Sequence, residues 1–362
     1  MSTRGGGHRI ADIASQSGLS AATVDRVLHG RPGASARAVH QVEQAVLDLD
    51  RQRTQLRLGA RTLVVDVVMQ APVRFSGAVR EALERELPAL RPATVRARFH
   101  LSESAGPQDV ASLVAHLDRI GTRGRSSQGV LLKAPDDPEV AGAIDRLASR
   151  GIPVVTLVTD VRESRRVAYV GLDNAAAGAT AAYLVAGWTG SRSGGRDEVA
   201  ARGRVLVTLS RATFFGEQER RAAFEDTVRR LAPGLEVLVL SDADGLDEAM
   251  AALVRRAVTD GRAVDGVYSI GGGNRAIAAE LAAAGVVPDV FIGHDLDADN
   301  LELLRTGVLT AVLHHDLRAD MRRACQQVMR HHHLLPGAPT SRPAAVQIIT
   351  PHNVPPRLGP AG

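Results

Sequence analysis

Arginine, aspartate and asparagine recur in this chain at one kind of place, just after an aliphatic run. Arg74 follows LVVDVVMQ, Asp136 follows GVLLKAP, Asp160 closes IPVVTLVTD, and Asp173 and Asn174 close VAYVGLDN. Asn274 follows GVYSIGG, and Asp295 closes VFIGHD. Guanidinium and carboxylate groups each engage two neighbouring hydroxyls at once, so several of them around one cleft suit a polyhydroxylated ligand. Each also has a plainer reading as a loop cap or a surface ion pair. Spacings for catalysis or metal binding are weak. His314-His315 and His331 to His333 come without a cysteine pair or an HExxH pattern, and the second cluster falls in an expected loop before Pro336. GGGN at 271–274 lacks the Gly-Lys-Ser/Thr of a phosphate loop, and no Ser/His/Asp spacing marks a triad. The expectation is a binding protein rather than an enzyme, with no cofactor and no metal.

The elements that must position these residues alternate. Near-continuous aliphatic strands, each followed by a helical stretch, run from Leu63 onward and repeat after Asp173. This pattern predicts α/β architecture with two doubly wound parallel sheets in two lobes. In such open sheets, ligands bind beyond the carboxyl ends of the strands, where the polar residues above fall. Ahead of this body lies IADIASQSGLSAATVDRVLHGRPG, Ile10 to Gly33. Ile10, Ile13 and Ala14 recur at helical spacing, Gly18 breaks the helix, and Ser20 is placed to cap a second one with Ala21, Val24, Val27 and Leu28 on one face. That second helix stops at Gly30, and a third carries Val39, Val42, Ala45, Val46 and Leu49. Two short helices joined by a glycine-containing turn predict either a DNA-reading helix-turn-helix or an ordinary helical hairpin.

Composition separates head from body. Up to Thr62, nine arginines stand against five acids, and that excess of four equals the formal net charge of +4 for all 362 residues. A basic head on a neutral body fits polyanion binding confined to the head. Lys133 is the only lysine. One cysteine, Cys325, fits a reducing compartment. With no secretory segment and no run approaching about 18 apolar residues, the expectation is a cytoplasmic protein without membrane partners. The expected domains are a DNA-binding head at 1–50, a hinge or linker at 51–62, and an effector-binding and dimerisation core at 63–362. Within that core the N-lobe takes about 63–172 plus 296–322, and the C-lobe about 173–295 plus 323–362.

These features together resemble the LacI family of bacterial transcription regulators. IADIASQSGLSAATVDRVLHGRPGAS resembles the family's opening D-V-A-x-x-A-G-V-S-x-x-T-V-S-R-V-L-N-G in length and phase. VAYVGLDNAAAG, GEQERRAAF, FIGHD and TGVLTAVLHHD resemble its periplasmic-binding-protein-like core. The resemblance implies a helix-turn-helix head followed by a bilobal effector domain, acting as a homodimer on double-stranded operator DNA, most often as a repressor. It implies a DNA-binding set of Ser20, Ala21, Ala22, Thr23, Arg26, His29 and Arg31, with Leu56 as a hinge leucine inserted into the minor groove. Ala21 and Ala22 stand at base-reading positions and offer only apolar contact, for example to a thymine methyl. Asp25 replaces a usual serine, His29 replaces a usual asparagine, and the Pro-Asn that normally precedes the hinge helix is missing. The resemblance implies a sugar-like effector held by Arg74, Phe75, Asp136, Asp160, Asp173, Arg220, Asn274, Asp295 and His315, the last at a lobe crossover. The alternative is a solute-binding receptor for sugar uptake with no DNA-binding role.

Overall fold

Van der Waals filling by Val, Leu, Ile and Ala carries this fold, since aromatic residues make up only 3% of the chain. A computed structural model describes residues 8–58, 61–102, 107–122, 124, 126–191, 203–244 and 246–355. It begins with helices α1 (Ile10–Ser17), α2 (Ala21–Leu28) and α3 (Ala36–Leu58). Ile13, Val24, Val42 and Ala45 from the three form one small core. Gly18 ends α1 with a φ of 69°, a left-handed conformation that costs glycine nothing. The Ser20 hydroxyl then accepts the Thr23 amide at 3.2 Å and caps α2. α3 departs from expectation. It runs on to Leu58, so most of the stretch expected to be a linker is helix. Arg, Gln and Leu are good helix formers, and nothing in RQRTQLRL interrupts the ladder before Gly59.

The first lobe follows as β1 (Thr62–Gln70), α4 (Val73–Glu86), β2 (Thr94–Ser102), α5 (Pro107–Arg119), β3 (Gly129–Lys133), α6 (Pro138–Ser149), β4 (Val154–Leu157) and β5 (Ala168–Val170). The second continues with α7 (Asn174–Ser191), β6 (Arg204–Thr208), α8 (Phe215–Leu231), β7 (Glu236–Leu240), α9 (Asp247–Val258), β8 (Gly266–Ser269), α10 (Asn274–Ala283), β9 (Val290–His294), α11 (Ala298–Arg305) and β10 (Ala311–His314). α12 (Leu317–His331) and β11 (Gln347–Ile349) complete the described chain.

The strand order is β2-β1-β3-β4-β5 in the first sheet and β11-β10-β9-β8-β6-β7 in the second. Every pairing is parallel except β10 with the short edge strand β11. Both sheets thus repeat one doubly wound order, with a switch point between β1 and β3 and another between β6 and β8. Among the described residues, no helix is long and apolar enough to cross a membrane.

The lobe boundaries also differ from expectation. The segment 296–322 was expected in the first lobe and 323–362 in the second, yet β10 pairs with β9 inside the second sheet, and the helix that packs in the first lobe runs across the expected boundary from 317 to 331. The chain crosses at His314–Asp316 instead. α12 then lays Met321, Ala324, Cys325, Val328 and Met329 into the first lobe's core. Its apolar stripe has the helical period that a packed sheet face requires. His331 is the last residue of this helix rather than part of a loop, and His332 Nε2 meets the Gln128 carbonyl at 2.5 Å. The chain returns near 341–346, where Ala344 exchanges backbone bonds with Gly171 and Asp173 at 2.7 and 3.0 Å. Three crossings side by side make a hinge.

Candidate functional site

The carboxyl ends of β1, β6, β8 and β9 converge between the lobes, and their following loops wall a cleft. Ala71, Arg74 and Phe75 come from the loop and first turn after β1, Lys133 from the end of β3, and Ser210, Phe214, Glu217 and Arg220 from the loop after β6 and α8. Gly271, His294, Asp295 and Asp297 come from the ends of β8 and β9. The backbones pack so tightly here that a Cβ at Gly271 would lie 1.9 Å from the Ser210 amide nitrogen. The cleft encloses about 80 Å³, room for a handful of waters rather than a sugar ring. The lobes or their facing side chains must therefore part to admit one.

Contacts that cross the cleft hold it closed. From the first lobe, Arg74 Nε lies 2.9 Å from Asp297 and Nη1 3.3 Å from Asp299, both in the second. The Gly216 amide donates to Thr159 Oγ1 at 3.1 Å, and the Asp136 amide to the Thr213 carbonyl at 3.1 Å. Lys133 Nζ stands 3.7 Å over the Phe214 ring. Replacing Arg74 with alanine is expected to loosen this closure. The radius of gyration by small-angle scattering should rise, while folding stability changes by less than about 1 kcal/mol because such part-exposed pairs are screened. An unchanged scattering profile would remove Arg74 from the role of latch.

At the back of the cleft Arg220 is 4% exposed, and its Nε donates to Asn174 Oδ1 at 2.8 Å. Asn174 in turn donates to the Tyr169 hydroxyl at 3.2 Å, which ties Arg220 to the first crossing. Asp295 has a φ of 62° and Val158, across the cleft, a φ of 65°. Both are conformations that non-glycine residues adopt only when their surroundings hold them there. Asn300 Nδ2 supplies part of that hold, donating to the His294 and Asp295 carbonyls at 2.8 and 2.6 Å.

Electrostatics separate these groups. Burial alone would raise the Asp295 carboxyl, but bonding to His315 together with the charges of His315 and Arg220 outweighs it and holds the group well below the usual carboxylate range. His315 is 1% exposed, with Nδ1 bonded to Asp320 and Nε2 3.5 Å from Asp295 Oδ1. Burial works against its charge, yet the two carboxylates prevail and push the imidazole up to about 9. His294 is the opposite case. Burial, and then the Arg220 charge, drive its imidazole well below the ordinary value, so it stays neutral with Nε2 at 2.9 Å from the Tyr268 hydroxyl. Its Nδ1 is buried with no partner among the described residues.

The nine ligand-binding residues expected from sequence divide accordingly. Arg74, Phe75, Arg220 and Asp295 line the cleft. His315 stands behind Asp295. Asn274 is 2% exposed and does not line the cleft; it donates to Asn300 Oδ1 at 2.7 Å and so backs the Asp295 loop. Three do not reach the cleft wall. Asp160 is saturated by Arg166, by the Thr156 hydroxyl at 2.7 Å and by the Val161 amide at 2.9 Å. Asp173 accepts the Ala176 amide at 2.9 Å and caps α7. Asp136 is exposed beyond the cleft rim, where only its backbone amide bridges the lobes. Sequence reasoning missed Lys133, Phe214, Glu217 and His294. The one signal available was that Lys133, the sole lysine, ends an otherwise apolar strand.

In the head, Ala21 and Ala22 are exposed at the start of α2. Asp25 is paired with Arg31 Nη1 at 3.0 Å and His29 Nδ1 at 3.1 Å, so its charge is neutralised locally. Leu56 falls on the last turns of α3, and its side chain lies outside the described residues.

Two parallel α/β lobes, three adjacent crossings and a polar cleft at the strand ends define a bilobal solute-binding architecture. The model of the periplasmic binding protein domain matches residues 71–332, and the chain belongs to that family. A search of curated protein sequences gave no match. Among solved structures, an arabinose binding protein from Geobacillus stearothermophilus is similar over 81% of this chain and 98% of its own, at 21% identity and a TM-score of 0.62. A Caulobacter myo-inositol binding protein, bound to myo-inositol, is similar over 82% of this chain and 95% of its own, at 20% identity and a TM-score of 0.66. A Bacteroides fragilis protein provisionally described as a LacI transcriptional regulator is similar over 81% of this chain and 97% of its own, at 14% identity and a TM-score of 0.66. At these identities the likeness is one of fold.

Proposed function

We propose that this chain is a receptor for a small polyhydroxylated solute, which it binds without chemical change between its two lobes. The observation that carries the reading is the convergence of the buried Arg220 and His294 with the half-buried Asp295 on one cleft between two lobes joined by three adjacent crossings. A guanidinium and a carboxylate bind hydroxyl pairs, and a neutral imidazole with a free nitrogen serves as donor or acceptor. The sugar and inositol binding proteins among its structural neighbours support this choice of ligand class. Thermal-shift screening of sugars and polyols tests it, because a ligand well above its dissociation constant raises the unfolding temperature. Recovery of a chemically altered solute would overturn binding without turnover.

Those neighbours favour a receptor that acts through solute uptake alone. A specific observation favours a second reading, a ligand-responsive DNA-binding regulator of the LacI kind. The capped α2 presents Ala21, Ala22 and Arg26 from a basic three-helix head, and the pairing of Asp25 with Arg31 and His29 removes the repulsion its carboxylate would exert on phosphate. In this reading a homodimer sets two heads on the half-sites of a pseudo-palindrome, and the solute shifts DNA affinity only by its differential affinity for the open and closed lobes. Arg26→Ala is expected to weaken binding to the promoter region of the protein's own genetic neighbourhood by about ten- to hundredfold, measured by fluorescence anisotropy at fixed salt. Unchanged sequence-specific binding would remove α2 from DNA recognition. Mature protein recovered outside the cytoplasm would favour uptake.

A further inference from the structure

We infer that the solute is an anion: a small hydroxylated carbon skeleton bearing a carboxylate or phosphate group whose charged oxygens sit between Arg220 and Lys133. This rests on the reading of the cleft as the binding site and narrows its ligand class.

The charges of the cleft wall do not balance internally. Arg74 is taken by Asp297 and Asp299, and Asp295 by His315. Arg220 and Lys133 remain. They are 4% and 7% exposed, and among the described residues neither has a carboxylate within ion-pair distance. The partner of Arg220 is the neutral Asn174 amide, and that of Lys133 is the Gln70 carbonyl at 3.1 Å. The one carboxylate of the lining without a cation partner is Glu217, and its oxygens are occupied by the Ser210 hydroxyl, the Ser210 amide at 2.8 Å and the Arg211 amide at 3.3 Å. Two buried cations therefore face a single carboxylate already committed to neutral donors.

Burying a cation without a counter-charge is costly. The cost is visible at Lys133, where burial brings the ammonium down to about 8 even though the charges of Glu217 and Asp295 oppose it, and the nearby Arg220 adds to the depression. A neutral sugar would leave that cost in place, whereas an oxyanion removes it. The two groups are also the complementary pair for this task. A guanidinium grips two oxygens of a planar or tetrahedral oxyanion, and an ammonium supplies a compact point charge with protons to spare. The Phe214 ring under Nζ keeps the ammonium in place without using up a proton. Hydroxyls on the rest of the ligand fall to His294 and Asp295, which line the same cleft.

Isothermal titration calorimetry on the full chain with gluconate, glucuronate, glucose 6-phosphate, glucose and myo-inositol tests this. An anionic member should bind at least about tenfold more tightly than its neutral counterpart, and Lys133→Met should erase that preference, weakening the anion by about ten- to hundredfold. The ligand-free variant should unfold no earlier than the parent, because methionine fills the lysine's volume without its charge, and Lys133→Gln gives a second neutral replacement. Binding of carboxylates alone or of the phosphate alone identifies the charged group, and either supports the inference. A neutral sugar binding as tightly as any anion, or Lys133→Met leaving anion affinity unchanged, overturns it while the cleft stands as a sugar site. Failure of every member, neutral and charged, overturns both.

Discussion

Arg220→Ala is expected to abolish solute binding, with a loss on the order of 10²–10³-fold in affinity for whichever solute the parent binds. Two effects add. The variant loses a guanidinium fork aimed into a closed, low-dielectric cleft, where a charge-assisted bond is worth most. It also strands Asn174 Oδ1, which accepts from Arg220 at 2.8 Å and belongs to a chain that passes through Tyr169 to the hinge. Arg220→Lys separates the two contributions. Lysine keeps the charge but not the fork, so it should restore folding stability more fully than affinity. Calorimetry for affinity and denaturant unfolding for stability are read side by side. If Arg220→Ala bound solute like the parent, the cleft would not be the binding site, whatever the solute.

The readability of this site follows from how far apart its partners lie in the chain. Arg220 and Asp295 were legible because each falls in a recognisable stretch, Arg220 within GEQERRAAF and Asp295 at the end of FIGHD. Asp160 carried the same strand-end signal and proved structural. Its neutralising arginine, Arg166, is six residues further along a loop, at a spacing that no helical or strand period singles out. Asp173 could have been read correctly, since an aspartate just before the helix-forming run NAAAGA is a cap by position. Lys133 and Glu217 were missed for a different reason. Their importance lies in what they lack, a partner of opposite charge, and that is a property of the assembled cleft.

The fold shows the same division. Parallel strands buried on both faces read as unbroken aliphatic runs, so β1, β3, β6 and β9 were plain, and the doubly wound class with them. The path between lobes was not. Whether β10 joins one sheet or the other depends on an edge left unpaired by β9, and α12 is an amphipathic helix that would suit either lobe. The continuation of α3 to Leu58 was hidden by charge. Four arginines close together suggest a solvated connector, although backbone propensity favours helix throughout.

Raising the pH from 6.5 to 9 is expected to destabilise this protein, and His315→Gln is expected to abolish that slope. His315 lies at the second lobe crossing, between Asp295 in the cleft wall and Asp320 on α12, with Arg323 on the far side of Asp320 and His294 and His314 nearby. Its imidazolium is favoured by folding, with the ordinary value of 6.5 pushed up to about 9. The stabilisation is therefore complete below pH 6.5 and is lost as the pH climbs through 9, a change of up to about 3 kcal/mol. Asp295 and Asp320 run the other way. Both are held below their ordinary value, so their contribution is present at neutral pH and lost only on acidification. In His315→Gln the buried Asp320, which keeps Arg323, and the half-buried Asp295 lose the cation between them, which should cost about 2–3 kcal/mol at pH 6. Denaturant unfolding from pH 6 to 9.5 on both proteins reads slope and cost together. Equal slopes in parent and variant would assign the pH dependence to another group and leave His315 as a neutral spacer between the cleft and the hinge.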